Sequence, residues 1–198
     1  MLRRWMKMVK KIVICISGLA ATGKSTLAKH LADSLNLRYV SGGEGLKMLA
    51  VERGYKSGGR EWWETEEGMR FLEERLRNPE FDKLIDQKLI ELAKTGNVVI
   101  DSWILPWLYR DGFNIWLKAR PEVRAKRMAK RSGISVDEAR KFLEKRDSES
   151  IELYRRLYGV EVGRDFEPFH LILDTSDLDE SAVYRIVLQA VKEFFKLR

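Results

Sequence analysis

The sequence has a single cysteine, Cys15, and only two histidines, His30 and His170. One thiol cannot close an internal disulfide, so the expected setting is a reducing cytosol. One cysteine and two histidines are also too few soft ligands for a structural zinc site. No apolar run approaches the roughly 18 residues that a bilayer span needs. The stretch Ile12 to Ile16, which follows a basic start, is too short for the core of a secretory signal. Proline is scarce, with four in 198 residues, and no Pro/Ser-rich linker, repeat or low-complexity stretch divides the chain. A single cytoplasmic domain spanning 1–198, monomeric and without a membrane partner, is the expectation.

What is present narrows the class. Hydrophobic residues make up 44% and charged residues 34%, which excludes a disordered tail. The net charge of +7 is spread over alternating basic and acidic residues. Such a surface suits a small polyanion such as ATP as well as it suits nucleic acid, and does not favour nucleic acid.

Hydrophobic periodicity then sets the architecture. Lys11 to Ser17 is a continuous apolar β-run, the mark of a strand buried on both faces. A helix is expected from about Gly23 to Leu35, with Leu27, Leu31 and Leu35 on one face. Further strands read at Leu37 to Val40, Asn97 to Asp101, Phe113 to Leu117 and Phe169 to Leu173. Residues 42–95 are mostly helical in pattern, broken at Lys56-Ser57-Gly58-Gly59 and at Asn78-Pro79. Pro121 opens a helix ending near Gly133, and Ser135 with Glu138 forms a capping box for one running to about Leu157. A closing helix from about Asp179 to Lys196 is expected to bury Val183, Ile186, Val187, Ala190 and Phe194. The sum is an α/β fold: a doubly wound, parallel, five-stranded sheet with a helical insertion and two later helices at about 121–158. Ligands in such sheets bind at the carboxyl ends of the strands. That rule gathers Ser17 to Thr26, Ser41 to Lys47, Asp101 to Trp107 and Asp174 to Ser176 around one site.

Gly18-Leu19-Ala20-Ala21-Thr22-Gly23-Lys24-Ser25 matches G-x-x-x-x-G-K-[ST] at every fixed position, between a strand and a helix. Gly18 and Gly23 let the backbone wrap so that its N–H groups, with those of Ala21, Thr22 and Thr26, face phosphate oxygens. The helix start adds a partial positive charge. Lys24 would reach the β- and γ-phosphates of ATP, and the Ser25 hydroxyl would join a Mg²⁺ shell. Asp101 ends the third strand, where a magnesium-site or catalytic carboxylate, or a cap for the next turn, would stand. A short chain, no Asn-Lys-x-Asp segment, and many arginines after strand four favour a small kinase over a GTPase or a motor. Arg124, Arg127 and Arg131 share a helix face, and Arg127, Arg131 and Arg146 are candidates to meet a transferring phosphoryl group. The plainer reading is a solvated basic face paired with Glu122, Glu138 and Glu144.

In these features the sequence resembles the nucleoside monophosphate kinases, specifically the archaeal type of cytidylate kinase. The similarity runs from about Ile12 to Phe194. It includes the P-loop, Val40-Ser41-Gly42-Gly43-Glu44, the segment Asn78 to Asp86, Glu122 to Gly133, the stretch around Arg146, Tyr154, Tyr158 and Gly159, and Asp174-Thr175. The resemblance implies an acceptor lobe at 42–95 and a lid around Arg127 to Arg156. It also implies acceptor contacts from Ser41, Lys47 and Asp82, and donor contacts from Asp174 and Thr175. The implied reaction is ATP- and Mg²⁺-dependent phosphorylation of a small nucleotide, CMP or dCMP, to its diphosphate.

The departures from that family fall at the acceptor. Lys47 stands where an arginine is usual, Asp101 is followed by Ser102-Trp103 instead of Gly-Arg, and Ile151-Glu152-Leu153 replaces an arginine cluster. Trp103 and Trp107 are placed to stack on a flat substrate or to seal the sheet end. Trp62 and Trp63 are expected to seal the insertion. The same fold would also serve a hydroxyl acceptor (a nucleoside, a small metabolite or RNA), or a nucleotide-binding module with little turnover.

Overall fold

A computed structural model describes residues 11–59 and 61–197. The basic opening segment before Lys11 lies outside the described residues. Five strands, β1 (Val13–Ser17), β2 (Arg38–Ser41), β3 (Val98–Asp101), β4 (Phe113–Lys118) and β5 (Leu171–Asp174), form one sheet. The order is β2-β3-β1-β4-β5 and every pairing is parallel. The chain leaves β1 toward β2, returns through β3 and then crosses to β4. The end of β1 is therefore where the winding reverses, the position at which such sheets open a ligand crevice.

The unbroken apolar run of β1 has a direct cause, because successive side chains enter two different cores. Val13 and Cys15 face the layer holding Leu46, Trp62, Phe71, Phe81 and Leu89. Ile14 and Ile16 face the layer holding Leu27, Leu31, Val187 and Val191. Cys15 is fully buried, and burial pushes its thiol up to about 12, so it packs and does not react.

The helices fill the connections. α1 (Lys24–Leu35) follows β1, and α2 (Gly42–Glu52) follows β2. A single 3₁₀ turn (Trp62–Glu64), α3 (Glu66–Arg77) and α4 (Glu80–Thr95) complete the insertion before β3. A one-turn helix that periodicity did not show, α5 (Leu105–Leu108), links β3 to β4. Then come α6 (Pro121–Ser132), ended by Gly133 at φ 69°, and α7 (Val136–Tyr158), opened by the expected Ser135/Glu138 capping box. α8 (Glu180–Phe195) closes the fold. Among the described residues, no helix is long and apolar enough to cross a membrane.

Two expectations need correction. The buried stripe of α8 is Val183, Val187, Val191 and Phe195, whereas Ile186 and Phe194 are 41% and 39% exposed. Four-residue spacing carries the stripe along one ridge and leaves Ile186 and Phe194 on its flank. Strand β5 starts at Leu171, because the chain turns at Phe166 to Phe169 and Phe169 packs against Trp107 and Trp116 instead of extending.

Candidate active site

The carboxyl ends of β2, β3 and β1 lie side by side, with Ser41 paired to Asp101 and Asp101 to Ile16. Three of the four gathered segments meet at this edge, the fourth joins them through Thr175, whose Oγ1 lies 3.4 Å from the Thr22 carbonyl, and the loop Gly18–Gly23 wraps over it. Gly18 has φ 145°, and a Cβ there would stand 2.2 Å from the Leu117 carbonyl oxygen, so only glycine fits. Gly23 has φ 99° and Ala21 has φ 59°, so the loop bends through left-handed backbone just ahead of α1. This curvature turns successive N–H groups inward and makes the loop an anion cradle.

Lys24 is buried at the head of α1. Its Nζ donates to the Leu19 carbonyl at 2.8 Å and lies 5.5 Å from the centre of the Trp103 ring. Burial pulls the ammonium down to about 8; Arg146 and Arg124 add to that pull, while Asp101 and Asp147 oppose it. Beside it the Ser25 hydroxyl donates to Asp101 Oδ2 at 2.5 Å. Capping of the turn after β3, one role open to Asp101, falls instead to Ser102. Its Oγ accepts from the N–H groups of Ile104 and Leu105 at 3.3 and 3.2 Å.

Three clefts open on this edge. The largest, about 620 Å³, is lined by Ala21, Thr22, Gly23, Thr26, Arg127 and Thr175 among others. Arg127 reaches it by donating to Thr175 Oγ1 at 2.8 Å and to the Thr175 carbonyl at 2.5 Å. The second, about 150 Å³, brings together Lys24, Ser25, Ser41, Trp63, Glu64, Asp101, Trp103, Arg131 and Arg146. The third, about 30 Å³, is enclosed by Trp63, Arg75, Asp86, Ser102, Trp103, Arg146 and Tyr154.

Charged pairs fix the walls. The partners of the arginines are not Glu122, Glu138 and Glu144. Arg124 pairs with Asp147 at 2.5 Å, and Arg131 and Arg146 meet Glu64 at 2.7 and 3.4 Å. Arg146 also lies 5.0 Å from the centre of the Trp63 ring. Asp82 is fully engaged, taking both arms of Arg75 at 2.9 and 2.6 Å and the Tyr154 hydroxyl at 3.2 Å. Asp86 accepts from Tyr158 at 2.9 Å, and burial, helped by the neighbouring charge of Asp82, pushes its carboxyl up to about 7.

Several candidate residues stand elsewhere. Lys47 donates to the Gly59 carbonyl at 2.8 Å and lines none of these three clefts. Asp174 is half-exposed, accepts from the Ser176 backbone and hydroxyl, and faces Lys118 at 3.7 Å. Trp107 turns away, donating to Asp165 at 2.8 Å and packing edge-on against Trp116 and Phe169. Trp62 is sealed in the core, whereas Trp63 reaches both smaller clefts. Sequence reasoning missed Glu64, Arg75, Asp86 and Asp147 as parts of this arrangement. Only Arg75 and the two aspartates sit on periodic helices, and nothing in their spacing marks a shared wall.

A parallel sheet in this order, with a P-loop over its central strand and arginine-bearing helices beyond it, defines a P-loop kinase fold. Shikimate kinase from Bacteroides thetaiotaomicron has a similar fold, with a TM-score of 0.56 over 94% of this chain and 99% of that one, at 22% identity. In sequence, a cytidylate kinase of Pyrococcus horikoshii is 36% identical over 182 residues, covering 91% of this chain and 88% of that protein. A cytidylate kinase of Ignicoccus hospitalis is 37% identical over 178 residues, covering 88% and 96%. The cytidylate kinase-like family profile matches residues 13–177. The chain belongs to the cytidylate kinase-like family.

Proposed function

We propose that the protein is an ATP-dependent kinase that phosphorylates CMP, or a closely related pyrimidine monophosphate such as dCMP, to the diphosphate. The observation that carries this reading is the grouping of Lys24, Ser25 and Asp101 beneath the P-loop, in a chain of this family. The large cleft would hold the donor nucleotide against the Arg127–Thr175 pair, with its phosphates on the loop N–H groups. Lys24, buried at the head of the helix, would set its ammonium against the β- and γ-phosphates. Arg131 and Arg146 would meet the equatorial oxygens of the phosphoryl group as it passes.

Ser25 and Asp101 fit a magnesium ion by their chemistry, since both are hard oxygen donors side by side on the cleft floor. The ion would neutralise developing phosphate charge. The two smaller clefts, walled by Ser41, Trp63, Trp103 and Arg146, would take the acceptor. In this reading 42–95 is the acceptor lobe and 121–158 the lid, and Asp82 shapes the acceptor wall through Arg75 without touching substrate. A monophosphate is nucleophilic once its second ionisation is complete, so no general base is required. Asp101, already committed to Ser25, is then free of that duty. The test is product analysis: ATP and CMP should give equal amounts of ADP and CDP, and chelation of Mg²⁺ should stop both. ADP formed without CDP would refute the proposal.

A further inference from the structure

The lobe contributes a second carboxylate to the transfer cleft. Glu64 ends the 3₁₀ turn Trp62–Glu64, and its side chain is only 4% exposed. Its Oε1 accepts from Arg131 of α6 at 2.7 Å and from Arg146 of α7 at 3.4 Å. Its Oε2 is buried and has no hydrogen-bond partner among the described residues. Arg146 is largely buried, with 19% of its side chain exposed, is repelled by Arg131, and lies over the Trp63 ring. Two guanidinium groups converge there from separate helices. Like charges brought this close, one of them largely buried, are held in place by an anion between them. Glu64 is that anion, and it leaves one net positive charge facing Lys24 across the cleft.

We infer that Glu64 is a positioning residue for phosphoryl transfer: its carboxylate, shared by Arg131 and Arg146, holds both lid arginines over the P-loop. The inference rests on the reading above, in which those arginines meet the transferring group. Oε1 fixes where the two guanidinium groups point. The open Oε2 gives either one a second acceptor on the same carboxylate while the other turns to phosphate oxygens. Glu64 thus touches neither nucleotide, and its effect falls on the step in which the arginines must be aligned.

Steady-state kinetics of Glu64→Gln in the full chain test this. The variant keeps the size of the side chain but loses the charge that orients the arginines. Its kcat should fall about 10- to 100-fold, the scale of a misplaced catalytic group. KM for ATP and CMP should not rise, because both arginine charges remain and a repelling negative charge is gone. In an Arg131→Ala/Arg146→Ala background, the same change should cost less than about two-fold, since nothing is left to position. Glu64→Asp, which keeps the charge but shortens its reach, should show an intermediate kcat with unchanged KM. It serves as the readout if the glutamine variant does not fold. Wild-type kcat in either variant, a raised KM at constant kcat, or equal losses in both backgrounds would overturn the inference. Wild-type kcat in Arg131→Ala/Arg146→Ala would overturn the phosphoryl-binding role beneath it.

Discussion

Arg124 and Asp147 face each other at 2.5 Å and together grip one residue of the P-loop, Ala20. Asp147 accepts from the Ala20 N–H at 3.3 Å, and Arg124 donates to the Ala20 carbonyl at 3.2 Å. The two come from different helices, so the pair ties α6 and α7 to the loop. Small side chains, Ala125, Ala129 and Ala139, let those helices approach closely. Asp147→Ala would leave a buried, unpaired guanidinium, and loss of one partner from such a pair costs on the order of 3–5 kcal/mol. Denaturant unfolding should show that loss, and ATP binding by the folded fraction should weaken. A variant of wild-type stability would refute the clamp.

Lys24→Ala removes the P-loop ammonium that faces the transferring phosphate. Deleting such an electrostatic contact costs about 100- to 1000-fold in kcat. The fold should survive, because the Leu19 carbonyl is the one hydrogen-bond partner that Lys24 has in the loop. Turnover is measured alongside circular dichroism; full activity in a folded variant would remove the P-loop from the mechanism.

Asp86 supplies a pH dependence of stability. Burial first, and the neighbouring charge of Asp82 second, raise its carboxyl from 3.8 to about 7; Tyr158 and Arg75 pull the other way. Between those values the folded chain holds a proton that the unfolded chain has released. The contribution of Asp86 to stability is thus fully present below about pH 4 and is lost as pH rises to about 7. Asp86→Asn should abolish that decline and be more stable than wild type, relative to acid conditions, at pH 8. Parallel stability profiles for the two proteins would place the titration elsewhere.

Asp101→Asn distinguishes the two acceptor chemistries. With a phosphate acceptor, the acid limb of the pH–rate profile belongs to the substrate, whose second ionisation lies near pH 6. The variant should then be slower but keep that limb. A flat acid side would mean that Asp101 is the general base for a hydroxyl acceptor.

The parts of the fold legible in the sequence were those fixed by local pattern. Ile12 to Ile16 marked β1 because both faces are buried, and Gly18 to Ser25 carried its own geometry. Pro121 and the Ser135/Glu138 pair placed two helix starts to within a residue. α5 was illegible because four residues are too few to show a period. The site walls were hidden for a different reason. Lys47 has the right charge for an acceptor phosphate, but the loop at 56–59 folds back and offers it the Gly59 carbonyl. Glu64 follows two tryptophans in a stretch with no periodicity, and its partners lie 67 and 82 residues further along the chain. The sealing role expected of Trp62 and Trp63 holds for Trp62, which is buried whole, and only in part for Trp63, which also lines the cleft.

In the proposed reaction the acceptor brings a phosphate to the cleft beside Lys24, Arg131 and Arg146. This is tested most directly by initial rates with ATP and Mg²⁺ on CMP, dCMP, UMP, AMP, cytidine and a short RNA at equal concentration. Phosphorylation of CMP ahead of cytidine and RNA, with the pyrimidine monophosphates ahead of AMP, is the expected result. A nucleoside or RNA phosphorylated faster than every monophosphate would contradict it.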